Sequence, residues 1–209
     1  MIKVIIVDDH PVVRRGLKQI IDDEPDMDVV GEAGDARECF ELVRMTDCNL
    51  VVLDITLPDW SGIDVLNQLK YEKPNLQILI LSVLPEDQYG LRLIKAGASG
   101  YLMKESALTE LVKAIRKVSS GGKYVSAVLA ESMLSLSDDS EELPSHENLS
   151  NREYQIFCMI AQGKSQKSIA SILRISEKTV STYRSRIMGK MKMSNNSDLI
   201  RYALEQHLV

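Results

Sequence analysis

The chain has 209 residues, 44% hydrophobic and 26% charged, and a net charge of -5 at pH 7, which reads as a globular protein of one large domain or two modest ones. No apolar run approaches the roughly 20 residues of a membrane span, and no basic n-region opens onto a long apolar stretch, so the expected compartment is the cytoplasm, with no membrane partner. Cys39, Cys48 and Cys158 form no CxxC and are odd in number; they support neither a disulfide frame nor a zinc site and are expected as core thiols.

Runs rich in Val, Ile and Leu predict five strands, at KVIIV (3–7), DVVGEA (28–33), LVVLDI (50–55), QILILSV (77–83) and GYLMK (100–104). They alternate with stretches of helical apolar period that begin near Pro11, Asp35, Gly62, Asp87 and Ala107; Asp35 suits an N-cap and Pro11 a first helical turn. Strands buried on both faces and alternating with helices imply a doubly wound parallel sheet over about residues 1–120. A short helix near 126–136 and a polar linker through Glu147 follow. After that the strand signal stops. Four helices are predicted, punctuated by Gly163, the RIS turn (174–176) and KMSNN (192–196), with Ser150 and Glu153 spaced as a capping box and Ser176 with Thr179 as a weaker cap.

The charge is unevenly spread. Residues 1–140 hold 15 basic and 23 acidic groups, a balance of -8, whereas residues 146–209 hold 10 and 5, a balance of +5. A basic segment joined to an acidic one suggests a polyanion partner, although +5 alone favours nucleic acid only weakly.

In an open parallel sheet, sites form where the strands end and their order reverses. Those ends carry Asp8 and Asp9 on the first strand, Asp54 on the third, Ser82 on the fourth and Lys104 on the fifth. With the order 2-1-3-4-5, three carboxylates converge, and adjacent carboxylates leave water only against a cation. Asp8, Asp9, Asp54 and the backbone carbonyl of Thr56 suit a hard divalent ion, Mg2+ first. Lys104 and Ser82 add an ammonium and a hydroxyl, a set suited to phosphoryl oxygens with Asp54 as nucleophile. The plainer alternative is that Asp8 and Asp9 only cap the next helix. An aspartyl-phosphate phosphatase is a further alternative, but its second acid two residues past the nucleophile is replaced by Thr56.

In the basic segment, Ser165 to Leu173, a turn at 174–176 and Glu177 to Met191 have the punctuation of a helix-turn-helix. On the second of these helices Val180, Tyr183, Arg184, Ile187 and Met191 suit a packed face. Lys178, Ser181, Thr182, Ser185 and Gly189 point away, flanked by Arg186 and Lys190. Small polar side chains at base edges and cations on phosphates would suit a major groove; a solvated bundle face is the alternative.

On VDDH (7–10), LDITLPDWSG (53–62), LS (81–82) and AGASGYLMK (96–104), the first 122 residues resemble the flavodoxin-like receiver domains of two-component signalling. The resemblance implies that a sensor histidine kinase phosphorylates Asp54, that Asp8 and Asp9 hold Mg2+, and that Ser82 and Lys104 contact the phosphoryl group. It also implies that Tyr101 is the switch aromatic. Glu105 stands where many receivers carry proline. Residues 148–209 resemble a LuxR-type four-helix DNA-binding domain, on Glu153, Gly163, Ile169, Ala170, Lys178, Thr179 and Val180 among others, with 123–147 as linker. Together these resemble the NarL/FixJ family and its GacA/UvrY-like members, which implies a transcription regulator, double-stranded DNA as partner, and a homodimer through the last helix or the receiver. Leu199, Ile200, Ala203 and Leu204 offer an apolar face for that, or equally an intradomain core. A phosphorylation-independent adaptor on the same fold is the remaining alternative.

Overall fold

The computed structural model describes residues 1–58, 60–135, 146–173, 175–206 and 208–209. They divide into two compact units, Met1–Leu136 and Ser137–Val209. In the first, β1 (Ile2–Val7), α1 (Pro11–Asp22), β2 (Met27–Ala33), α2 (Ala36–Met45), β3 (Leu50–Asp54), α3 (Gly62–Glu72), β4 (Gln77–Ser82), α4 (Glu86–Lys95), β5 (Gly100–Met103) and α5 (Ala107–Ser119) alternate without exception. The strands form one parallel sheet in the order β2-β1-β3-β4-β5, the topology expected from the strand-helix alternation. Asp35 caps α2 by accepting the Glu38 N–H, and Pro11 opens α1.

The period-2 alternation of the strands divides the core between two faces. Val4, Ile6, Leu50, Val52, Leu79 and Leu81 pack with Leu17, Ile21, Leu111 and Ile115 of α1 and α5. Ile5, Val51, Leu53, Ile78 and Ile80 are equally buried on the opposite side. All three cysteines are buried and none is in a disulfide, as expected of core thiols.

The short helix expected near 126–136 is α6 (Ala127–Ser135), and it belongs to the first unit. Tyr124 extends the sheet at its edge in a parallel bridge with Gly100: its carbonyl accepts the Tyr101 N–H at 2.7 Å and its N–H donates to Ser99 O at 3.1 Å. Ser126 N–H donates to Glu86 Oε1 at 3.1 Å, and Leu129, 3% exposed, lies over Gly90 of α4, where a Cβ would stand 2.7 Å from Leu129 Cδ2. An apolar helix next to an open sheet edge and a missing side chain docks there instead of staying in solvent. Residues 136–145 of the expected linker lie outside the described residues.

The second unit is helical: α7 (Asn151–Ala161), α8 (Gln166–Ile172), α9 (Glu177–Met191) and α10 (Asn196–Glu205). Ser150 and Glu153 form the expected capping box, and Ser176 accepts the Thr179 N–H. Ser165 and Asn195 cap α8 and α10 in the same way. Gly163, at φ 75°, closes α7, a left-handed turn that a side chain would strain. Phe157, Ile169, Val180, Ile187, Met191, Leu199 and Ala203 fill the core.

Candidate functional site

The crevice of the first unit is built at the carboxyl ends of four strands. Asp8 follows β1, Asp54 ends β3, Ser82 ends β4 and Lys104 follows β5. Because β1 and β3 are hydrogen-bonded neighbours, with Val7 opposite Leu53, Asp8 and Asp54 come out side by side. Both are buried. Lys104 reaches across β4 and stands 2.6 Å from Asp8 Oδ2 and 2.7 Å from Asp54 Oδ2. One ammonium, 15% exposed, thus faces two buried carboxylates.

Burial pushes the Asp54 carboxyl above its ordinary value, against the opposing pull of Lys104 and the Thr56 N–H, which donates to Asp54 Oδ1 at 3.0 Å. Burial works to lower Lys104, and the two carboxylates outweigh it, so its pKa is raised. The β3–α3 loop folds back tightly: Gly62 N–H donates to Ile55 O at 2.9 Å, and a Cβ at Gly62 would stand 2.4 Å from Ile55 Cα. Only glycine allows that approach, which holds Asp54 and Thr56 in place.

Two residues not singled out in the sequence complete the crevice. His10 donates its N–H to Asp8 Oδ1 at 2.8 Å and places Nδ1 2.7 Å from Asp9 Oδ1. Arg14 donates from Nη1 to Asp8 O at 2.5 Å. Adjacency to the doubled acid was the signal for His10; Arg14, six residues from Asp8, is brought there only by the first turn of α1. Ligand atoms of Asp8, Asp9, His10 and Asp54 lie within 4.8 Å of one another, a group that could hold a metal ion. Three carboxylates against one lysine leave an excess of negative charge in a largely buried crevice, so the donor set fits a hard cation.

Ser82 and Tyr101 grip one residue of the next loop. Ser82 Oγ accepts the Leu84 N–H at 2.9 Å, and the Tyr101 hydroxyl donates to Leu84 O at 2.7 Å. Tyr101 is buried, and that burial raises its phenol pKa.

In the second unit α9 presents Lys178, Ser181, Thr182, Ser185, Arg186, Gly189 and Lys190 to solvent. Thr179 is half-buried, its hydroxyl 2.7 Å from Ser176 Oγ, beside the cap expected of that pair. Arg184, expected on the packed face, is exposed and donates to Asn196 Oδ1 at 2.8 Å, since its length reaches α10 over the surface. Lys190, expected to flank the outward stripe as a phosphate cation, stands 2.6 Å from Glu153 Oε2. Burial works to raise Glu153, but Lys190 and the Ser150 N–H hold it below the usual carboxylate range. On α10, Leu199 and Ala203 are core, Ile200 is half-buried, and Leu204 remains 57% exposed. Part of the expected association face is therefore intradomain. Arg174 of the expected turn lies outside the described residues.

Two family descriptions match the chain: the response regulator receiver domain over residues 4–116 and bacterial regulatory proteins of the luxR family over residues 147–203. Response regulator GacA of Pseudomonas aeruginosa is 35% identical over 210 residues, covering 100% of this chain and 98% of that protein. Response regulator UvrY of Escherichia coli is 33% identical over 209 residues, covering 100% and 96%. Among solved structures, RcsB of Salmonella enterica serovar Typhimurium, bound to a promoter in the presence of phosphomimetic BeF3-, has a TM-score of 0.63 at 25% identity, covering 97% of this chain and 98% of that one.

Proposed function

The chain belongs to the NarL/FixJ family of two-component response regulators, a receiver joined to a LuxR-type helix-turn-helix domain, and from that premise we propose that phosphorylation of Asp54 by a sensor histidine kinase controls its binding to promoter DNA. The observation that carries the reading is the contact of one lysine, Lys104, with two buried carboxylates beside a third. A carboxylate oxygen of Asp54 attacks the phosphorus of a phosphohistidine; the O–P bond forms, the P–N bond breaks, and the leaving imidazole nitrogen takes a proton. Lys104 faces the charge that develops on the phosphoryl oxygens. Asp8, Asp9, Asp54 and the Thr56 carbonyl would hold Mg2+, which neutralises charge on the acceptor and the transferred group.

The Ser82 hydroxyl is the donor that turns to the phosphoryl group. In turning it gives up the Leu84 N–H, and Tyr101, bound to the carbonyl of the same residue, registers the change. On this proposal that change in the receiver is the signal passed to the DNA-binding unit. A swing in population from 1:99 to 99:1 needs about 5.5 kcal/mol of differential stabilisation, so partial activation is the expected outcome.

On α9, Lys178 and Arg186 suit phosphates, and Ser181, Thr182 and Ser185 suit base edges. Thr182 Oγ1 donates to Lys178 O at 3.0 Å and Ser185 Oγ to Ser181 O at 3.2 Å. Their lone pairs face outward, so they offer acceptors to the amino groups of adenine or cytosine. Promoter-bound RcsB supports DNA as the partner. Dimerisation through Ile200 and Leu204 of α10 or through the receiver, and a cytoplasmic location, complete the reading; no helix of the described residues is long and apolar enough to cross a membrane.

With Mg2+ and a small phosphodonor, the protein should gain one phosphoryl group by intact-mass analysis, labile to alkali and hydroxylamine as an acyl phosphate is, and Asp54→Asn should abolish it. Undiminished labelling of Asp54→Asn would overturn the assignment. Equal operator affinity with and without phosphate at fixed salt would overturn the coupling.

A further inference from the structure

We infer that His10 is a fourth donor at the acidic crevice and tunes which divalent ions it takes, adding affinity for late transition ions such as Co2+ that carboxylates alone would not supply. The inference rests on the proposed metal site. His10 occupies the N-cap of α1 in extended conformation (φ -94°, ψ 108°), yet its side chain caps nothing. The ring turns the other way, with Nδ1 2.7 Å from Asp9 Oδ1 and 3.2 Å from Asp8 Oδ1. The main-chain bond from His10 N–H to Asp8 Oδ1 closes a two-residue turn that aims it.

The geometry divides the crevice into two sides. Lys104 engages the Oδ2 atoms of Asp8 and Asp54, while the imidazole stands at the Oδ1 atoms of Asp8 and Asp9. The His10 ring is 57% exposed, so it can adjust to an ion without disturbing the core. Mg2+ is a hard ion that keeps water and oxygen donors, and an imidazole adds little to its binding. Cobalt, nickel and zinc ions gain strongly from the same nitrogen. His10 is the one histidine in the sequence of the first unit, and nitrogen ligation at the acids is assigned to it.

The test is calorimetric titration of the full chain with Mg2+ and separately with Co2+, in the wild type, His10→Asn and Asp9→Asn, together with the visible absorption of the Co2+ forms. Asparagine is a good N-cap, so His10→Asn removes the imidazole without a penalty at the start of α1. It should weaken Co2+ about tenfold, leave Mg2+ within about twofold, and move the Co2+ band to longer wavelength as nitrogen is replaced by oxygen. Asp9→Asn should weaken both ions. If His10→Asn changes both ions equally, or leaves the Co2+ affinity or spectrum unchanged, His10 only orients or pairs the acids and the inference fails while the metal site stands. If neither ion binds the wild type, the metal site and the inference fail together.

Discussion

Replacing Lys104 by methionine removes the ammonium that faces Asp8 and Asp54 while keeping most of its stem. At an effective dielectric of about 20, each contact at 2.6 to 2.7 Å represents about 6 kcal/mol of gross attraction, most of it offset by the desolvation of three charged groups. Breaking a buried pair by removing one partner costs about 3–5 kcal/mol, and here protonation of Asp54 limits the loss. We expect about 3 kcal/mol near pH 7.5. Burial already raises the Asp54 pKa with Lys104 present, and without it the rise is larger. A carboxyl whose folded pKa exceeds its unfolded value weakens the fold most above the folded pKa, and the penalty shrinks as pH falls toward the unfolded value. The Lys104→Met deficit should therefore be smaller near pH 5.5 than near pH 7.5. Mg2+ at a hundredfold excess over its Kd should return about 2.7 kcal/mol. Urea unfolding followed by Trp60, the single tryptophan and a residue of the first unit, reads the receiver alone. A Lys104→Met variant as stable as the wild type near pH 7.5 without divalent ions would refute the electrostatic account.

Two further outcomes distinguish structural from functional roles. Because Lys190 is paired with the buried Glu153, Lys190→Ala should cost the second unit about 1 kcal/mol and leave the salt dependence of DNA binding nearly unchanged, whereas Arg186→Ala should lower the salt slope by about 1. Thermal unfolding and salt titrations of both variants check this; a full unit of slope lost in Lys190→Ala would restore that lysine as a phosphate contact. Leu129→Ala, which empties the contact over Gly90, should destabilise the docked α6 by about 2 kcal/mol and speed hydrogen exchange across Ala127–Ser135 ahead of the sheet. Unchanged exchange there would mean that the edge pairing of Tyr124 alone holds the segment.

The alternation of apolar strands with amphipathic stretches was enough to place ten elements of the first unit and the four helices of the second, because burial on both sheet faces writes continuous Val, Ile and Leu runs that no other fold class needs. It was also enough to bring Asp8, Asp54 and Lys104 together, since strand ends in a parallel sheet share one edge and a local pattern predicts a shared location. Pairings between residues far apart in sequence had no such pattern. Lys190 reads as a solvated cation until α7 lays Glu153 against it. Leu199 and Leu204 read alike until packing buries one and leaves the other exposed. The same holds for the docking of α6, which depends on a side chain that Gly90 lacks, and for His10, whose ring could cap a helix or face two carboxylates. Local periodicity determines which elements form, because each residue's own burial preference is written in its side chain. Partners of charged and exposed groups are decided by tertiary structure, because a long side chain reaches several neighbours at similar cost and only the assembled surface selects among them.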